Sequence, residues 1–155
     1  MIASTTVEAT SEDPGAQRRS LRPWVALGLV LLVAALLRLV GLGDIDRLRF
    51  DESYYAEDAH AMVEQGVEEV RPAHPPMGKW VLAVGIAVFG FDPFGWRVGA
   101  AVAGIAAVAA TSVLAAQVLR DRWLAVAATA LVAIDGLAIT ASRIAMLDGV
   151  LAGFV

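Results

Sequence analysis

Residues 98–119, which read VGAAVAGIAAVAATSVLAAQVL, form a run of 22 residues without a charge. As an α-helix rising about 1.5 Å per residue, this run extends about 33 Å, enough to cross the hydrocarbon core of a bilayer. The whole 155-residue chain shares this character, since 58% of its residues are hydrophobic and 18% are charged. A soluble domain of this size needs a polar shell, so the composition predicts an integral membrane protein built from helices.

Two further apolar segments flank this run. Residues 24–42 are interrupted only by Arg38, which we expect to extend its side chain to the membrane surface, and residues 123–142 contain one charge, Asp135. A further apolar run begins after Arg143. Ionisable groups within a membrane are paired or functional by default.

The distribution of charge predicts the orientation. Residues 43–96 carry ten acidic side chains against four basic ones, whereas basic clusters occupy residues 18–22 and 120–122. The uncharged residues 80–91 would reach only about 18 Å as a helix, too short to span. We therefore expect an interfacial or re-entrant helix there, with both basic clusters and the N-terminus in the cytoplasm.

The predicted fold is an all-α integral membrane protein with a large external first loop that contains interfacial helices. The predicted segments are a disordered cytoplasmic tail (1–22), transmembrane helix 1 (23–42), the external loop (43–96), transmembrane helix 2 (97–119), a cytoplasmic turn (120–122), transmembrane helix 3 (123–142), and an external turn with the start of a truncated fourth helix (143–155). The chain has 11 arginines and one lysine, which favours a high-GC bacterium and hence the plasma membrane.

The external loop holds the groups suited to chemistry. Asp51 and Glu52 directly precede a stretch with helical spacing, in which Tyr55, Ala59 and Met62 share one face. Carboxylates at that position can simply cap the helix, or one of them can be held in a fixed direction as a general base. The absence of cysteine excludes disulfides, thiolate metal sites and a cysteine nucleophile.

Two other motifs lie in the same loop. Residues 74–79 read HPPMGK, where two prolines fix an extended backbone ahead of Lys79. Residues 94–97 read FGWR, which taken alone indicates an aromatic and cationic anchor at the membrane interface. Arg143 and Asp148 are five residues apart, about 140° around a continuous helix, so they need a helix break between them or separate partners.

Together these motifs resemble the protein O-mannosyltransferases, membrane enzymes of the GT-C class that use a polyprenyl-phosphate mannose donor. The resembling blocks are RFDESYY (49–55), HPPMGKW (74–80), FGWR (94–97), DG (135–136) and SRIAMLD (142–148). The resemblance covers roughly residues 36–155 and corresponds to the N-terminal quarter to third of such an enzyme. Ser53 stands where the family usually has Thr or Val, and Met77 where it has Leu.

The resemblance implies roles for individual residues. It assigns the general base to Asp51, with Glu52 orienting the acceptor or the loop. Departure of a phosphate calls for fixed cations, for which Lys79, Arg97 and Arg143 are the candidates. The other implied substrate-binding residues are Tyr54, His74 and Asp148. His74 would shape the pocket. Asp135 and Asp148 would be paired structural groups, or Asp148 would place Arg143.

The implied reaction is transfer of mannose from the lipid phosphate to Ser or Thr hydroxyls of secreted or membrane proteins at the outer face of the membrane. No nucleic-acid partner is expected, no metal site is predicted, and the need for a divalent metal stays open. One alternative is a related transferase that delivers aminoarabinose or another pentose to a lipid or glycan. Alternatives of another class are a transporter fragment, with Asp135, Arg143 and Asp148 on an ion path, and a non-catalytic membrane scaffold.

Overall fold

The computed structural model describes the backbone of residues 14–67 and 76–151, with side chains from residue 21 onward. Within these ranges all regular structure is α-helical, which confirms the predicted fold class. The helices are α1 (Pro14–Leu39), α2 (Glu52–Gln65), α3 (Pro76–Phe89), α4 (Gly95–Leu119), α5 (Arg122–Ala133), α6 (Gly136–Arg143) and α7 (Leu147–Leu151).

Two of these helices are long and apolar enough to cross a membrane. They are Leu21–Leu39, the apolar part of α1, and α4. Helix α1 begins at Pro14, so residues 14–22, which we expected to be disordered, are helical, whereas residues 1–13 lie outside the described residues. Helix α3 has 14 residues and is about 21 Å long. It is the short apolar helix that the uncharged run at residues 80–91 predicted.

The predicted third transmembrane helix, residues 123–142, is broken. Helices α5 and α6 meet at an angle of 54°, and they match the length and composition of a single span only when taken together. Asp135 lies at the break in an extended conformation, and its carboxylate accepts a hydrogen bond of 2.7 Å from the amide of Ala138. Asp135 is therefore the N-cap of α6, and this accounts for its position in an apolar run.

Arg38 does not extend to the membrane surface, and that expectation was wrong. Its side chain is 1% exposed, and its guanidinium donates to the carbonyl oxygens of Ala133 at 3.1 Å and Ala34 at 3.3 Å. The break after α5 leaves a carbonyl without a helical partner, and no water is available inside a bilayer to satisfy it. Arg38 supplies the missing donor.

Helices α2 and α3 pack over one end of the long helices. Helix α3 crosses α4 at very close range, because a Cβ added to Gly85 would collide with the carbonyl oxygen of Gly95, and one added to Gly99 with that of Val81. A buried apolar cluster joins helices α2, α3, α4 and α7. Its members are Tyr55, Ala56, Ala59, Leu82, Ile86, Trp96, Ala100, Ala145 and Val150. This cluster is the platform on which the start of α2 rests.

Candidate active site

Arg97, in the first turn of α4, is the centre of the hydrogen bonds that hold residues 42–52. It is fully buried, and its Nε and Nη2 donate to the two carboxylate oxygens of Glu52 at 2.7 and 2.9 Å. Its remaining donors reach the carbonyl oxygens of Leu42 at 3.2 Å, Ile45 at 2.8 Å and Arg47 at 2.8 Å. A guanidinium has five N–H groups, and all five are occupied here.

Glu52 is likewise buried and fully bonded. Besides the two contacts with Arg97, it accepts from the indole nitrogen of Trp96 at 3.1 Å and from the backbone amide of Arg49 at 3.0 Å. Trp96 is 6% exposed, so it is part of the core and not the interfacial anchor that its motif suggested. Glu52 therefore attaches the start of α2 to the start of α4.

Asp51, the adjacent residue, is in the opposite situation. It is exposed, and it occupies the N-cap position of α2 with helical dihedral angles and no side-chain capping bond. Its carboxylate has no hydrogen-bond or ion-pair partner in the part of the chain that the structure describes. Helix capping, the simplest explanation for an acid at this position, thus accounts for neither Asp51 nor the buried Glu52.

A strained turn presents Asp51. The amide of Glu52 donates to the carbonyl of Arg49 at 3.0 Å, which closes a tight turn over residues 49–52. Within it Phe50 has a positive φ of 52° and is 80% exposed, an unusual conformation and environment for an aromatic residue. Such strain persists only where surrounding bonds impose it, and the bonds of Glu52 do so here.

The charges of Asp51 and Asp148 both act on the Tyr55 phenol. Burial raises the pKa of the Tyr55 phenol, and the negative charges of Asp51 and Asp148 raise this pKa further, whereas Lys79 lowers it. The phenol therefore stays neutral at physiological pH. The two carboxylates that act on it, Asp51 and Asp148, are both exposed. Within the described ranges no group of three or more acidic, histidine or cysteine side chains is arranged to hold a metal ion.

Lys79 forms a buried ion pair with Asp58. Its ammonium nitrogen lies 2.8 Å from a carboxylate oxygen of Asp58, and both side chains are almost completely buried. The pair joins α2 to α3. Sequence reasoning missed Asp58, although its position three residues after Tyr55 puts it on the buried face of α2.

Arg143 caps the end of α1. Its guanidinium donates to the carbonyl oxygens of Leu37 at 2.9 Å, Val40 at 2.8 Å and Gly41 at 3.2 Å. Helix α6 ends at Arg143 and α7 begins at Leu147, so the expected helix break is present. Asp148 is exposed and makes no ion pair with Arg143, so the expectation that Asp148 places Arg143 was wrong.

Two predicted site residues remain. Tyr54 is 42% exposed on α2, beside the buried Tyr55. His74 lies outside the described residues. The structure thus brings Asp51, Glu52, Tyr55 and Arg97 together at the junction of α2 and α4, where Arg49 and Phe50 also lie.

Comparison with known proteins identifies the family. Residues 93–155 match the family described as dolichyl-phosphate-mannose-protein mannosyltransferase. The chain is 35% identical over 143 residues to a polyprenol-phosphate-mannose–protein mannosyltransferase of Mycobacterium tuberculosis (strain ATCC 25618 / H37Rv). The chain belongs to this mannosyltransferase family.

Other relatives give the same result. The proteins of that name from Mycolicibacterium smegmatis (strain MKD8) and Corynebacterium glutamicum are each 32% identical to the chain, over 133 and 117 residues. The matches cover 87%, 81% and 68% of this chain for the M. tuberculosis, M. smegmatis and C. glutamicum relatives, but only 27%, 26% and 22% of the relatives. The chain therefore spans about a quarter of the length of these mannosyltransferases. No solved structure matches it.

Breaking the pair between Glu52 and Arg97 should destabilise the loop. Glu52→Gln leaves the buried charge of Arg97 without a counter-charge. Arg97→Lys leaves several carbonyl oxygens without a donor. Each change should lower the free energy of unfolding by about 3–5 kcal/mol. We expect a lower unfolding temperature in detergent and faster proteolysis between residues 43 and 51. Glu57→Gln, the same change at an exposed position of α2, is the control and should have little effect. Unchanged proteolysis of both variants would show that the pair does not hold the loop.

Proposed function

We propose that this chain carries the acceptor-activating part of an enzyme that transfers mannose from polyprenyl phosphate mannose to Ser or Thr hydroxyls of secreted or membrane proteins. The observation that carries the proposal is the contrast between two adjacent carboxylates. Glu52 is buried with four hydrogen bonds, whereas Asp51 is exposed without a partner among the described side chains. Family membership supplies the reaction, and the contrast supplies the assignment of the base.

The chemistry needs one base. The Asp51 carboxylate accepts the proton of the acceptor hydroxyl while the hydroxyl oxygen forms a bond to C1 of mannose. The bond between C1 and the phosphate oxygen breaks, and polyprenyl phosphate leaves with the electron pair. Because phosphate is a stable anion, no acid is required to protonate it, unlike the leaving group of a glycosidase.

The leaving phosphate needs a cation that is free to bind it. Lys79, Arg97 and Arg143, which the family resemblance suggested, are each engaged in bonds within the chain. Arg49 is exposed and its side chain has no acceptor among the residues described, although its backbone is fixed by Glu52. We therefore assign the phosphate contact to Arg49, two residues before the base.

The remaining residues take supporting roles. Glu52 and Arg97 position the loop, Lys79 holds α3 against α2, and Arg143 holds the end of α1. Exposed Asp148 and Tyr54 lie where they can accept or donate hydrogen bonds to the sugar or the peptide. His74 remains a predicted contributor to the shape of the pocket.

The proposed orientation has the loop outside the plasma membrane and the N-terminus in the cytoplasm, in a multi-pass arrangement. Support comes from the exposed Arg120 and Arg122 at the opposite end of α4 from Asp51, since basic residues favour the cytoplasmic side. The alternative within the same chemistry is delivery of the sugar to a lipid or glycan, which would use the same base and cation. The nature of the acceptor separates the two.

Asp51→Asn should reduce transfer about 10²- to 10⁴-fold, because the amide cannot accept the hydroxyl proton. The assay measures initial rates with radiolabelled polyprenyl phosphate mannose and a peptide containing Ser and Thr. It uses membranes with this chain and membranes with a chimera in which the chain replaces the matching region of the M. tuberculosis relative. Asp46→Asn, an exposed acid in the same loop, is the control and should retain activity.

Two results would contradict these assignments separately. Normal turnover by the Asp51→Asn chimera would remove Asp51 from the role of base while leaving the reaction in place. A chimera that mannosylates lipid or glycan acceptors but not the peptide would instead favour the alternative function.

Arg49→Gln should raise the KM for the donor about tenfold, the equivalent of about 1.4 kcal/mol, with a smaller effect on the KM for the peptide. Arg49→Lys keeps the charge and should recover part of the loss. Arg47→Gln removes an exposed charge from the same loop and should change neither value. An equal effect of both glutamine variants would indicate general electrostatics and not a phosphate contact at Arg49.

The orientation can be measured with single cysteines, because the chain contains none. Cysteine at exposed Glu64 should react with an impermeant maleimide added to intact cells, whereas cysteine at Arg120 should react only after the cells are opened. Reaction of both positions from one side would refute the proposed orientation.

A further inference from the structure

A groove lies at the other end of the bundle from Asp51. It forms where α1 enters the apolar region, α4 ends and α5 begins, and its volume is about 240 Å³. Since α4 has 25 residues, its two ends lie about 37 Å apart, with Arg97 in its first turn and the groove beside its last turns. The walls are mainly apolar, and the lining residues include Trp24, Leu27, Val113, Ala116, Arg122 and Val126.

Arg122 lines this groove, and Arg22 and Arg120 are within two residues of lining residues along the chain. The guanidinium of Arg122 lies 5.7 Å from the centre of the Trp24 ring, in a cation–π contact that fixes its direction. Arg22 and Arg120 are also exposed, and within residues 21–67 and 76–151 none of the three arginines forms an ion pair. Asp121, between two of them, uses its carboxylate to cap α5, accepting from the amides of residues 123 and 124.

The groove therefore has an apolar part and a charged part, arranged as the hydrocarbon core and the head groups of a bilayer are. Its interior is apolar and lies between two helices that can span a bilayer, whereas its mouth, at the ends of those helices, carries cations and an interfacial tryptophan. Basic pockets between transmembrane helices bind the head groups of anionic lipids. We propose that this groove binds one anionic phospholipid, with the phosphate at Arg122 and an acyl chain along Leu27 and Ala116.

The size and charge favour a lipid over a protein segment. A helix has a diameter of about 10–12 Å with its side chains, so a groove of about 240 Å³ cannot enclose another span. An acyl chain is narrow enough to enter. The exposed arginines favour an anionic head group, because a zwitterionic lipid carries no net charge to attract them.

Native mass spectrometry of the detergent-purified 155-residue chain tests the site, with phosphatidylglycerol and phosphatidylcholine as probes. The wild-type chain should retain one phosphatidylglycerol in preference to phosphatidylcholine. Arg122→Gln should weaken this retention about fivefold, and Arg122→Lys should restore most of it. Arg47→Gln, which removes an exposed arginine at the other end, is the control and should bind as the wild type does.

A second variant tests the groove itself. Ala116→Phe fills the groove without changing any charge and should also weaken retention of phosphatidylglycerol. Val118→Phe adds the same ring at a position of α4 that is 69% exposed and outside the groove, so it should have no effect. Equal retention of the two lipids, normal binding by Arg122→Gln, or normal binding by Ala116→Phe would each overturn the proposal.

Discussion

The half of this chain that contains α2, α3 and the start of α4 depends on the buried contact between Glu52 and Arg97. Residues 40–51 form no helix, and no backbone amide of the described residues donates to the carbonyls of Leu42, Ile45 and Arg47. Arg97 satisfies the carbonyls of Leu42, Ile45 and Arg47 while it neutralises Glu52. A buried pair of this kind is stable only when every remaining donor and acceptor is satisfied, and this condition is met here.

The spans use the same physical solution. Arg38 donates to the last part of α5 at the break before Asp135, and Arg143 donates to three carbonyls at the end of α1. A carbonyl that is left open in a low-dielectric environment costs several kcal/mol, and arginine can reach several carbonyls from one position. In the sequence these arginines are charges in or beside apolar segments without an evident partner. In the structure they complete the backbone hydrogen bonding of helix ends.

The helices were predictable and most of these contacts were not. Apolar length alone predicts the two long spans and the short α3, because the bilayer sets the length of a helix that crosses it. The break at Asp135 has a local signal, Asp followed by Gly inside an apolar run, that we read only as a buried charge. Ala133, which accepts from Arg38, and the partners of Arg97 lie 45 to 95 residues away along the chain, a distance over which local pattern carries no information.

Asp51 and Glu52 show most clearly what the structure adds. The two acids are adjacent and chemically alike, so residue type and spacing alone do not distinguish them, and only the family resemblance pointed to Asp51 as the base. Successive positions at a helix start differ by about 100° in direction, so anchoring one inside the protein turns the other outward. Glu52 also holds the strained turn at Phe50, and the proposed base is thereby ordered before any substrate arrives. A general base gains from this because the entropy of orienting it is already lost on folding.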